Sequence, residues 1–207
     1  MFKKSLFFIA VIIKSCMAAF AFDAGVGNYI NTGIRWHDHW IGGLTFLSED
    51  TVAPVKIQLE KTSFDDMYIL FIPDTATQTQ EIGPTFTKGY GELMRFIQQN
   101  HLTAKKFLAW YYSTQPPWIM DIAVETDKIP SELTGRISSR IEKGGEVLIA
   151  HMWGPYSELG RAYMQIKNWL NENSRTARGN PFEVYLNDPS SVKDPSEIKT
   201  DIYQPLQ

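Results

Sequence analysis

The sequence predicts an α+β fold, an antiparallel sheet carrying two main helices, and three observations predict it. Two segments, 86–100 and 154–173, place apolar residues at helical spacing. Each is preceded and followed by a pair of short runs with strand patterning. The order strand–strand–helix–strand–strand therefore occurs twice, and short links between neighbouring strands favour antiparallel pairing. A repeated unit implies a pseudo-two-fold axis between the halves, and such a seam is where a ligand cleft tends to form.

From Pro54 onward the elements follow in order. "VKIQLEK" (55–61) alternates and "MYILFI" (67–72) is continuously apolar, so both read as strands. In 86–100, Phe86, Tyr90, Leu93, Met94 and Ile97 share one helical face. "KFLAWYY" (106–112) and "WIMDIAVE" (118–125) are strands separated by the turn signal Pro116-Pro117. "GRISSRIEK" (135–143) and "EVLIAHMW" (146–153) are strands, and Gly144-Gly145 between them predicts a hairpin turn. The second helix carries Pro155 near its start and a stripe of Tyr156, Leu159, Tyr163, Ile166 and Leu170, with Trp169 beside it. "FEVYLN" (182–187) and "IKTDIYQPL" (198–206) close the unit. Phe107 to Tyr112 echoes Phe182 to Asn187, and Asp121-Ile122 echoes Asp201-Ile202.

Residues 1–21 read as a targeting segment. "MFKK" is a basic start, "SLFFIAVII" an apolar stretch, and Ala19-Phe20-Ala21 a small-x-small cleavage site that would leave Phe22 as the new terminus. Lys14 interrupts the apolar run well short of the ~20 residues a membrane span needs. Export to the bacterial periplasm, with no transmembrane span after cleavage, is the expectation; anchoring through this segment is the alternative. Cleavage takes away Lys3, Lys4 and Lys14 and no acid, so the net charge moves from −3 to −6. With no basic run left, nucleic acid is not an expected partner. The single cysteine, Cys16, leaves with the same segment, which excludes disulfides and thiolate metal sites. Residues 22–54 are glycine-rich and lack periodicity, and read as an N-terminal extension before a domain over 55–207.

One acid interrupts the apolar run Phe182, Glu183, Val184, Tyr185, Leu186. Side chains alternate along a strand, so Glu183 and Tyr185 share one face and the apolar trio the other. The apolar trio is expected to pack under the helices, so that the opposite face collects Trp110, Tyr112 and Tyr185 around Glu183. Such an aromatic wall with one anion suits an organic cation, at about 0.5–2 kcal/mol per ring. The same carboxylate could act as a general base. Pattern alone equally allows this face to be open to solvent.

"GPYSELGRAY", "NPFEVYLNDP" and the closing "KTDIYQPL" resemble the GyrI-like small-molecule-binding domain, the effector-binding domain of AraC-type and MerR-type regulators that also occurs alone. The resemblance is close over 146–206 and lies in element order over 55–125. It implies β-α-β-β-type repeats, a concave sheet with a central cleft, and a ligand-contacting glutamate that falls on Glu183. It places Tyr156, the tyrosine of "G-P-Y", near the cleft. Where members often carry a histidine two residues before that glycine, this chain has Met152, with His151 one further back. No helix-turn-helix precedes the domain, so a transcription-factor role is not expected. The expectation is a binding protein for a small amphipathic or cationic molecule, with Glu183, Tyr185, Trp110, Tyr112 and Tyr156 at the site and no cofactor. A hydrolase using Glu183 as its catalytic residue, as in members acting on strained rings, is one alternative. A protein-binding inhibitory module is another, and haem binding is a lesser one.

"RWHDHW" (35–40) puts His37 and His39 on one side of an extended segment. Zinc needs three or four protein ligands and nothing nearby completes the set, so no metal is expected. No phosphate-binding glycine loop, dinucleotide fingerprint or Ser–His–Asp arrangement is present.

Overall fold

The computed structural model describes residues 55–207. The targeting segment, the extension and "RWHDHW" lie outside them. Eight strands and two helices follow one another as β1 (Lys56–Phe64), β2 (Met67–Ala76), α1 (Ile82–Gln99), β3 (Ala104–Tyr111), β4 (Trp118–Thr126), β5 (Ser138–Glu142), β6 (Gly145–Trp153), α2 (Leu159–Glu172), β7 (Phe182–Tyr185) and β8 (Lys199–Pro205). The duplicated unit is thus present. α1 begins four residues before the expected start, because Pro84 sits in its first turn, where a missing N–H costs nothing. α2 is preceded by a separate 3-10 turn, Tyr156–Glu158, after Pro155.

All neighbouring strands are antiparallel, in the order β1-β6-β8-β7-β3-β4-β2-β5. That order maps onto itself when the first repeat is exchanged for the second, so the pseudo-two-fold is real and runs between β3 and β7. Each repeat lends its first strand to the other: β1 pairs with β6, and β5 with β2. The predicted hairpin at Gly144-Gly145 is therefore not formed. β5 lies at one edge and β6 beside the other, yet only Lys143 and Gly144 connect them. β1 and β2 are likewise joined by Asp65 and Asp66 alone, so the sheet must bend until its two edges meet. Asp66 ties that corner, accepting from Lys143 Nζ and from the Gly144 N–H. A side chain at Gly144 would strike the Phe64 carbonyl, which is why the corner needs glycine there.

Both helices lie on one face. α1 packs on β2 and β4, and α2 on β6, β1 and β8. The first core joins Phe86, Tyr90, Leu93 and Ile97 of α1 to Leu70, Ile72, Met120, Ile122 and Val124. The second joins Leu159, Ala162 and Ile166 of α2 to Leu148, Ala150, Met152 and Ile202. Both buried faces follow from the helical stripes in the sequence. Between the helices, the central strands β3 and β7 form the floor.

The opposite face is also closed, and this reverses an expectation. Phe182 and Val184 do not face the helices. They join Met67, Ile69, Leu108, Trp110 and Ala123 in a third cluster on the inside of the bend. Trp110 stacks on Phe182 with centroids 4.6 Å apart, and Phe182 on Tyr203 at 5.1 Å. Phe64, from the far edge strand, reaches Phe182 at 6.1 Å. A strand buried on both faces gives no polar side from which to read its orientation. Leu186, third member of the apolar trio, lies past the strand end and is 50% exposed.

Gly89 faces β4 where the helix and sheet come closest: a β-carbon there would stand 2.6 Å from Ile122 Cδ1. Alanine improves helix propensity by about 1 kcal/mol, but overpacking of this kind costs about 1–3 kcal/mol. Gly89→Ala is expected to lower stability in urea unfolding, and to cost less when combined with Ile122→Val, which removes the nearest methyl.

Candidate functional site

Glu183 sits in the fourth strand of eight, on the helix face. The ladder sets it in one cross-strand row with Leu59, Ala150 and Ile202 on one side and Ala109, Ile122 and Ile72 on the other. Five of these six row-mates are fully buried, and Leu59, on the edge strand, is half-buried. Glu183 itself is 1% exposed, one carboxylate in the middle of an apolar floor.

Two phenols hold it. Tyr163, from α2 above, donates to Oε1 at 2.8 Å, and Tyr185, two residues along β7, donates to Oε2 at 2.7 Å. No lysine, arginine or histidine among the described residues forms an ion pair with it. Burial drives the acid toward its neutral form, and the two hydroxyl donors only partly oppose this, so its pKa is raised to about 7. Burial and the facing carboxylate push the Tyr163 hydroxyl far above its ordinary range, so it is a donor at every relevant pH.

Rings close the sides. Tyr185 meets Tyr156 edge-on at 5.8 Å and Phe86 of α1 at 6.1 Å. Phe86 in turn packs on Tyr111 of β3 at 6.2 Å. The aromatic surround thus draws on both halves of the molecule. Tyr185 belongs at once to the α1 and the α2 cores and bridges them.

Of the residues singled out from sequence, Glu183, Tyr185 and Tyr156 come together and Trp110 and Tyr112 do not. Trp110 lies on the other face, buried under the Arg140 guanidinium, 4.1 Å from its ring centroid. Tyr112 is 45% exposed and donates to Asp121 Oδ2 at 2.6 Å; burial and that acid push its hydroxyl up to about 12. The cause is the inverted face assignment of β7. His151 also faces away, with Nδ1 against Asp201 at 2.8 Å and Nε2 against Glu60 at 3.1 Å. Sequence reading missed Tyr163, Phe86 and Tyr111. Tyr163 was legible only as one more member of an apolar helix stripe, and a hydroxyl at that position was the available signal.

The two halves differ where it matters. Ala109 pairs with Ile122 and Tyr111 with Met120; Glu183 pairs with Ile202 and Tyr185 with Thr200. Aligning Asp121-Ile122 on Asp201-Ile202 places Ala109 on Glu183, Tyr111 on Tyr185 and Met120 on Thr200. The echo of Phe107 with Phe182 read from sequence is thus one residue out of register. The helices agree: Tyr90 and Tyr163 stand the same distance before Asn100 and Asn173, each of which caps its helix by donating from Nδ2 to the carbonyl four residues back. Tyr90, with no acid to meet, donates to the Leu108 carbonyl at 2.9 Å.

Comparison with known proteins agrees with this architecture. Residues 75–207 match the family model of the GyrI-like small-molecule-binding domain, and the chain belongs to that family. A search of curated protein sequences finds no match. Among solved structures, the chain is similar to EcmrR in its DNA complex, with a TM-score of 0.63 and 14% identity. That match covers 73% of this chain but only 57% of the EcmrR chain. The EcmrR C-terminal domain alone gives a TM-score of 0.58 at 16% identity, over 73% of this chain and 98% of that one. A hydrolase from Listeria innocua gives 0.53 at 12% identity, covering 72% and 92%. SAV2435 bound to tetraphenylphosphonium gives 0.50 at 11% identity, covering 72% and 94%. Among the described residues no helix is long and apolar enough to cross a membrane.

The raised acid has a consequence for stability. In the unfolded chain Glu183 titrates near its ordinary value of 4.5, in the folded chain near 7. Between these values the folded state binds the extra proton, so stability falls as pH rises across that window. The full effect is about 3 kcal/mol. Glu183→Gln keeps the shape and removes the titration. Urea unfolding from pH 4 to pH 8 is expected to show wild type losing stability relative to this variant between pH 4.5 and 7.

Proposed function

We propose that this domain binds a lipophilic cation or an amphipathic organic molecule between its helices, with Glu183 as the charge anchor and Tyr156, Tyr185 and Phe86 as walls. The single observation that carries this reading is a fully buried carboxylate without a cationic partner among the described residues. A buried charge costs several kcal/mol unless it is paired. Glu183 avoids that cost by holding its proton at moderate pH; an entering cation would replace the proton. Aromatic rings add cation–π attraction that grows once water is excluded. The family's capacity for small molecules, and a similar fold with tetraphenylphosphonium bound, support the ligand class.

The proton makes the reading testable. Cation binding selects ionised Glu183, so affinity for tetraphenylphosphonium rises from pH 5.5 to pH 8, and calorimetry near pH 6.5 in buffers of different ionisation enthalpy detects proton release. Glu183→Gln is expected to weaken the phosphonium by roughly 30-fold or more while leaving a neutral aryl amide within a few-fold. Equal loss for both ligands would remove the charge role.

A second reading rests on the same acid. A carboxyl with a pKa of about 7, flanked by phenols in a dry site, is suited to general acid–base work at neutral pH. A hydrolase of similar fold makes the class worth assaying. Turnover of a strained or electrophilic small molecule, abolished in Glu183→Ala, would favour catalysis over passive binding.

The pattern of residues 1–21 supports export, and the acidic balance of the chain supports a role without nucleic acid. Expression in a bacterium is expected to yield periplasmic protein whose first residue is Phe22; a cytoplasmic full-length product would place the binding site inside the cell.

A further inference from the structure

We propose that the Thr200 hydroxyl is a second polar contact of the same site, selecting ligands that carry a hydrogen-bonding group beside their cationic centre. The inference rests on the reading of Glu183 as anchor and adds a specificity-determining residue to it. Thr200 is the cross-strand partner of Tyr185 and therefore stands on the same face as Tyr185 and Glu183. It is 1% exposed, and its Oγ1 has no hydrogen-bond partner among the described residues. Buried hydroxyls are nearly always paired, because leaving one unpaired forfeits its hydration. An unpaired one two rungs from a ligand-type carboxylate invites a partner from outside the chain.

Comparison of the two halves isolates the same residue. The pseudo-equivalent of Thr200 is Met120, fully buried in the α1 core and paired with Tyr111 as Thr200 is with Tyr185. An apolar side chain thus satisfies this position in the first repeat. Of the pairs that make the floor, the second repeat is polar at two where the first is apolar: Glu183 for Ala109, and Thr200 for Met120. One is the anchor. The other has no hydrogen-bond partner among the described residues to explain it. Across an antiparallel pair such diagonal neighbours are rooted about 7–8 Å apart, the span of a substituted aryl ring. The ligand class is therefore an aryl or alkyl cation bearing a hydroxyl, amide or ether one ring's width from the charge. Threonine both donates and accepts, so either polarity serves.

The test compares tetraphenylphosphonium, which has no hydrogen-bonding atom, with (3-hydroxymethylphenyl)triphenylphosphonium, by calorimetry on wild type, Thr200→Val and Thr200→Ser. Wild type is expected to bind the hydroxylated probe about three- to tenfold more tightly than the parent. Thr200→Val should abolish that advantage and bind the parent within twofold of wild type; Thr200→Ser should retain the advantage. Because the valine variant removes an unpaired buried hydroxyl at constant shape, its ligand-free thermal midpoint should rise by a few degrees. Equal affinity of wild type for both probes, or an advantage that survives in Thr200→Val, overturns the role of Thr200 and leaves Glu183 as anchor. A lowered midpoint in the ligand-free valine variant also overturns it, by showing that the hydroxyl already has a partner. If wild type binds neither probe, the cation reading fails and this one with it.

Discussion

The Glu183 carboxylate, held by the hydroxyls of Tyr163 and Tyr185, is the interaction on which the rest of this molecule turns. It joins strand β7 to helix α2 through one charge-capable group at the centre of an apolar floor. A core that wanted only stability would place an aliphatic residue there, as the first repeat does with Ala109. Replacing a buried acid and its donors by apolar groups of similar volume is commonly neutral or stabilising. The acid is therefore retained at a cost, and the cost is coupled to proton uptake. On the proposed reading a positive group would take the place of that proton, beside a carboxylate that two phenols fix in place.

The bent sheet sets this carboxylate between the helices. β1 and β5 cross to the opposite repeat, α2 packs on β1 as well as on β6 and β8 of its own half, α1 packs on β2 and β4, and the two helices leave β3 and β7 between them. On the inner side of the bend, Trp110, Phe182 and Tyr203 stack in series and hold the central strands from behind. Arg140 extends that series, its guanidinium lying 4.5 Å from the Phe71 ring centroid while its Nη1 donates to Asp121 at 2.5 Å. The floor under Glu183 is thus backed by a rigid aromatic layer rather than by solvent. That backing keeps water from the central strands on the face away from the helices.

Element order, both helical stripes and the pseudo-two-fold were legible in the sequence, because each rests on local periodicity repeated in the same order. The singularity of Glu183 was legible too, as an acid amid Phe182, Val184 and Tyr185. Its direction was not. Alternation says which residues share a face but not which face looks inward, and a strand buried on both sides offers no polar residue to decide. Trp110 was consequently grouped with Glu183 when it lies behind it. Tyr163 was hidden for a different reason: a tyrosine on an apolar helix stripe reads as core, and only the three-dimensional placement of its hydroxyl separates it from Ile166. The missing hairpin at Gly144 reflects exchange of edge strands between repeats, a long-range pairing that no local turn signal encodes.

The asymmetry of the two repeats follows from where the axis runs. Ala109 and Glu183 are at once pseudo-equivalent and directly paired across β3 and β7, so the two-fold passes between them. A glutamate in both repeats would set two carboxylates face to face, with β-carbons about 5 Å apart. Two acids that close in a dry site cannot both ionise; one would keep its proton far above neutral pH, and the pair would share a single charge. One cation of the proposed kind would need only one of them, and a second acid would blur the position of the charge. Duplication supplied two matching frames, but the geometry of the axis allows only one of them to carry the charge. The other must supply a small, neutral residue opposite it, and alanine at 109, together with Tyr90 turned to the Leu108 carbonyl, is that solution. The division of labour between the halves is thus a consequence of putting the acid on the symmetry axis, where Tyr163 of α2 donates to it and Phe86 of α1 packs on its other donor, Tyr185.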